Sequence, residues 1–123
     1  MTAAVVERVG QSSVDDASLC VTALGAELTA YVAGAASVGE FESWFAAGRR
    51  PAWAVRRRLA AAAELVSIFS TANQSALAAA WLREVDPAGV VPARVLRHSE
   101  GDGATVKDLL EAAVIWSLRP AGE

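Results

Sequence analysis

At 123 residues the chain is the size of one domain, and a hydrophobic content of 54% is enough to fill a core. A formal charge of −3 argues against a generic polyanion binder, although the distribution of charge matters more than its sum. The lone Cys20 excludes an internal disulfide and a cysteine-rich zinc site, and it reads as a small core residue in a reducing compartment. Met1 to Gly10 lacks the basic start of a secretory signal and carries Glu7 and Arg8. No run of about 18 apolar residues occurs, so no membrane partner is expected and the localisation read is cytoplasmic.

Alanine, the best helix former, supplies much of the apolar content. Val, Ile and Thr never alternate with polar residues over a strand-length window. The fold class expected is therefore all-α, a small multi-helix domain. Residues 1–12 show no period and read as a frayed N-terminus. Ser13 with Asp16 has the spacing of a capping box, opening a helix through Leu19, Cys20, Ala23 and Leu24 that Gly25 stops. A second helix runs through Leu28, Tyr31 and Val32 to Gly34. After a tight turn, Ser37 is placed to cap a third helix. There Phe41, Trp44 and Phe45 form one apolar face, and Gly48 ends it.

Pro51 suits the first turn of a fourth helix, whose stripe Val55, Leu59, Ala62, Val66 and Phe69 steps by four, three, four and three. A break over 70–73 leads to a fifth helix with Leu77, Trp81 and Val85, stopped by Asp86-Pro87. Pro92 opens a short helix ending at Leu96. Thr105 with Asp108 is a second capping-box spacing, opening a last helix with Val106, Leu109, Leu110, Ala113, Val114 and Trp116. The organisation read is a bundle over 13–69, a second helical lobe over 70–118 and a tail over 119–123, with the fourth helix able to serve both halves.

For catalysis the chain offers little. His98 stands between Arg97 and Ser99 in a polar loop and reads as a solvated surface histidine. No His, Cys or carboxylate group has zinc spacing, and no Gly-rich loop has phosphate-binding spacing. Neither enzyme activity nor a metal or cofactor is expected. The arginines are more informative: Arg49, Arg50, Arg56, Arg57 and Arg58 fall within ten positions, with Trp53 among them. They read either as phosphate contacts or as a solvated helix start packed on the tryptophan.

The run Leu28-Thr29-Ala30-Tyr31-Val32-Ala33-Gly34, the turn to Ser37, and then Trp44, Gly48, Arg49, Arg50 and Pro51 resemble the helix-turn-helix half of Xre-type antitoxins. Ala80-Trp81-Leu82, Asp86-Pro87 and Pro92-Ala93-Arg94-Val95-Leu96 resemble the toxin-binding, ParS-like half of the same family. The resemblance spans roughly residues 19 to 118. It implies an N-terminal helix-turn-helix-like bundle followed by a toxin-binding-like lobe. The implied function is neutralisation of a cognate RES-like, NAD-consuming toxin, with autoregulation of the operon as an accompanying role and a homo-oligomeric state. It places Trp81, Pro87, Pro92, Arg94, Leu96 and Trp116 at the toxin interface. Operator DNA would meet Ser43, Arg49, Arg50, Arg56, Arg57 and Arg58.

The third helix, expected to enter a major groove, carries Glu40 and Glu42, which phosphates would repel. Three readings stay open for it: backbone binding by the arginines, a fold kept without DNA, or dimerisation. The alternative to an antitoxin is a DNA-binding regulator without a toxin partner.

Overall fold

The computed structural model describes residues 15–46, 51–73, 76–84, 89–99 and 103–118. Among these residues all regular structure is helical, as expected of an all-α chain. In order the helices are α1 (15–24), α2 (Ala26–Ala33), α3 (Val38–Ser43), α4 (Trp53–Thr71), α5 (Leu77–Arg83), α6 (Pro92–His98) and α7 (Gly103–Ser117).

The joints follow from local chemistry. Gly25 sits at φ 91, a region side chains avoid, and its amide donates to the Val21 carbonyl. Its own carbonyl accepts from the Thr29 amide, so one residue ends α1 and starts α2. At the far end of α2, Gly34 at φ 96 donates to the Tyr31 carbonyl while Ala35 donates to that of Ala30. This paired closure is a Schellman motif, and buried Ala30 and Ala35 supply its apolar contact. Ser37 then caps α3 as its position predicted, accepting from the Glu40 amide at 3.1 Å. The Glu40 carboxylate reaches back and accepts from the Ala36 amide at 3.0 Å.

The stripe of α4 is buried throughout: Val55, Leu59, Ala62, Val66 and Phe69 are each at most 5% exposed. The helix runs to Thr71, and Asn73 turns the chain at φ 60, which Asn tolerates better than most residues. The larger core gathers Cys20, Leu24, Leu28 and Val32 from α1 and α2 with residues of α4 through α7. Phe69 lies at its centre between Trp81 (5.6 Å between ring centroids) and Trp116 (5.8 Å). A smaller cluster joins Phe41 to Ala17, Ala30, Val55 and Leu59, with Trp44 and Phe45 against its edge. The boundary expected at 69/70 therefore does not divide the packing, because α1 and α2 share the larger core with α5–α7.

Four expectations change here. Pro51 precedes Ala52, the N-cap of α4, instead of lying in its first turn, and α5 ends at Arg83 with Glu84 already extended. α6 extends two residues past Leu96, to His98. α7 is already helical at Gly103, so the Thr105–Asp108 spacing lies inside the helix instead of opening it. The expected stops at Gly48 and Asp86-Pro87, the expected helix residue Val85 and the capping Ser13 lie outside the described residues.

Candidate functional site

Among the described residues, Arg56, Arg57 and Arg58 do not act as one cluster. Arg58 points back across the bundle and donates from Nη1 to the Ala33 carbonyl at 3.1 Å. The same atom would lie 2.7 Å from any Cβ at Gly34, so the glycine also leaves room for the guanidinium. Arg58 is thus tied to the end of α2. Arg56 is half-buried, whereas Arg57 is exposed and stacks on Trp53, 4.8 Å from the ring centroid. Trp53 itself is 59% exposed. Arg49 and Arg50 lie outside the described residues. Ser43 closes the last turn of α3, donating to the Glu40 carbonyl at 2.6 Å. Of the six residues expected at DNA, Arg57 beside Trp53 is therefore the exposed cation that the structure describes.

The residues expected at a toxin interface also divide. Leu96 has no exposed surface and Trp81 has 7%, so both belong to the core and present almost nothing to a partner. The reason is their position: each is on the inner side of a short helix facing Phe69 and its neighbours. Trp116 is half-buried against Phe69. Pro92, which opens α6, is half-buried, and Arg94 is exposed. Pro87 lies outside the described residues. Beside Pro92, Val90 is 40% exposed although its neighbours in α6, Ala93 and Leu96, are anchored inside.

Arg97 carries a role that its sequence position did not reveal. From the last turn of α6 its Nη1 donates to the carbonyls of Tyr31 (2.8 Å) and Ala35 (2.9 Å). Its guanidinium also lies 4.7 Å from the Tyr31 ring centroid. In sequence, an arginine ending a short helix reads as a complement to that helix's own dipole. The adjacent His98 is exposed, as expected.

No protein-family model, curated protein or solved structure matches this chain. The arrangement of side chains is left as the guide to function.

That arrangement is poor in reactive groups. Cys20 is fully buried, its thiol directed at the Leu59 carbonyl at 3.9 Å. Burial, reinforced by the Asp16 charge, pushes its pKa up to about 12. Such a thiol is a core residue, since the thiolate is the nucleophilic form. No helix among the described residues is long and apolar enough to cross a membrane, and no group of three metal-binding side chains occurs among them.

Exposed apolar surface is more prominent. Val114, Ile115 and Leu118 at the end of α7 are 42%, 66% and 74% exposed. Val114 and Ile115 line an open groove of about 640 Å3 between α4 and α7, together with Ile68, Val106, Leu110, Lys107 and Glu111. A second groove of about 420 Å3 runs between α1 and α3, over Ala17, Val21, Phe41 and Phe45.

Proposed function

We propose that this chain is an antitoxin of the Xre kind that neutralises a RES-like toxin by binding it through the edge at the start of α6. The observation that carries the reading is the placement of Val90 and Arg94. Both are exposed on a segment whose Ala93 and Leu96 are locked into the core. A contact edge held in this way loses little conformational entropy on binding, which favours tight association. Arginine is also among the residue types enriched at interface hot spots. The two-part resemblance supplies the class of partner. Autoregulation would use α2, the 34–37 turn and α3 as the helix-turn-helix.

Co-expression with the product of the adjacent gene tests it. A stable complex that abolishes the neighbour's toxicity is expected, and V90D/R94E should weaken that complex while leaving the fold intact. A neighbour that is neither toxic nor bound overturns the reading.

A second reading rests on a different observation, the exposed Trp53 with Arg57 stacked on it at the start of α4. A regulator that grips DNA by its phosphates would use this pair, since phosphate contacts need no base-reading helix. Operator binding would then lose roughly 0.9 from its log–log salt slope in R57A. An unchanged slope argues against it.

A further inference from the structure

We infer that α6 receives an acidic protein surface, with Arg94 and His98 as the two groups that meet its carboxylates. The inference rests on the partner-binding edge proposed above and names the chemistry of what docks there.

α6 reads Pro92-Ala93-Arg94-Val95-Leu96-Arg97-His98 and holds no acid, although the chain carries a net charge of −3. Its two arginines are used differently. Arg97 is turned onto α2, where its hydrogen bonds to the Tyr31 and Ala35 carbonyls account for it. Arg94 is exposed and stands in the first helical turn. The partial positive charge of that helix end opposes a cation and favours an acid, so local structure gives no reason for an arginine there. A carboxylate brought from outside supplies one. His98 lies four residues on, hence on the same side of the helix and about 6 Å further along its axis. It too is exposed, and an imidazole N–H donates to a carboxylate whether or not the ring is charged. Buried Ala93 and Leu96 fix the opposite side of α6, so the pair is presented on a rigid support.

Two such groups suit a protein better than a nucleic acid. A protein that grips duplex DNA by its backbone can make about 6–10 phosphate contacts, each adding about 0.9 to the log–log salt slope. Here there are two, beside Val90, which is 40% exposed and which a protein surface can cover but a phosphate backbone leaves in water. Glu27 is the one acid of α2, the helix on which Arg97 is anchored, and it is exposed. Were Arg94 held by Glu27 instead, E27Q and R94A would both lower the urea midpoint; on the inference drawn here both leave it unchanged.

Titration of the full chain with a hexaglutamate peptide, followed by nuclear magnetic resonance, tests the surface without reference to the natural partner. Shifts confined to α6 and largest at Arg94 and His98 are expected, and R94E/H98E should abolish them with the circular-dichroism spectrum unchanged. No shift at α6, equal shifts with hexalysine, or tighter binding of a DNA duplex at the same ionic strength overturns the inference. The product of the adjacent gene supplies the second arm. R94E/H98E should weaken its complex by about tenfold, and reversing the charge of an acid on the neighbour's surface should restore it. A complex indifferent to R94E/H98E and to salt overturns this inference while the neighbour is still shown to be bound. Absence of any complex overturns the antitoxin reading, and the peptide titration then decides the chemistry of the surface by itself.

Discussion

Arg97 holds Tyr31 twice, by a 2.8 Å hydrogen bond to its carbonyl and by a guanidinium 4.7 Å from its ring centroid. The same Nη1 reaches the Ala35 carbonyl, so α6 grips the last turn of α2 and the start of the turn that follows it. This grip joins the two halves that the sequence pattern separates. Removing it in R97A leaves the Tyr31 carbonyl with the Gly34 amide alone, takes the arginine from the Ala35 carbonyl and uncovers the ring. The expected loss is about 1–2 kcal/mol by urea unfolding, because the site is partly solvated. R97K should recover less than half of that, since an ammonium cannot both stack and bridge in the same way. Hydrogen exchange should quicken at the Gly34 and Ala35 amides first. Equal exchange in R97A and wild type would remove Arg97 from this role.

Gly34 and Gly25 have nearly the same positive φ but different surroundings. G25A meets nothing within 4 Å, but at φ 91 and ψ 156 it forces alanine into a region essentially reserved for glycine, at about 1–3 kcal/mol. G34A, at φ 96 and ψ 12, carries the milder left-handed penalty of about 1 kcal/mol and also places its Cβ 2.7 Å from the Arg58 Nη1. Displacing that charged hydrogen bond should add about 1 kcal/mol or more. Thermal unfolding of G34A in the wild-type and R58A backgrounds gives the added cost. Equal losses in the two backgrounds would show that Arg58 moves aside freely.

Adjacent arginines should behave oppositely. R58A loses a partly buried hydrogen bond to Ala33 and should destabilise by about 1–3 kcal/mol. R57A loses an exposed stack on Trp53, a change of about 0.5–1 kcal/mol. The ranking by denaturant midpoint should be R58A well below R57A. A reversed order would contradict the assignment of Arg58 to the α2 end.

Much of the fold was legible because helices advertise their ends and inner faces locally. Gly25, Gly34 and Ser37 close or cap helices where their chemistry predicts, and every residue of the α4 stripe is buried. The start of α7 was misread because a Thr-x-x-Asp spacing arises as easily inside a helix as before one. The site was less legible. Trp81 and Leu96 carry the resemblance to a toxin-binding lobe, yet packing around Phe69 uses their surface. Helical periodicity puts Val114 with the core residues of α7, but it borders the groove beside exposed Ile115. Arg97 depends on α6 lying against α2, a contact between segments more than sixty residues apart that no local pattern encodes.

The buried Cys20 thiol predicts a pH dependence. Its pKa is pushed up to about 12 from 9.0 by burial and the Asp16 charge. Above about pH 9 the unfolded chain releases this proton and the folded chain keeps it. Stability should therefore fall as pH rises from 9 towards 12, and this contribution should be absent in C20A. At pH 8 a thiol reagent should label native protein only through unfolding, and denatured protein at once. Rapid native labelling would contradict the buried position.

The proposed neutralisation of a toxin through the edge carrying Val90 and Arg94 is tested by growth of cells expressing the adjacent gene together with either the wild-type chain or V90D/R94E, with both chains shown to be folded and equally abundant. Rescue by the wild type and its loss in the variant is the predicted result. Equal rescue by both, or a neighbour that does not slow growth on its own, would contradict it.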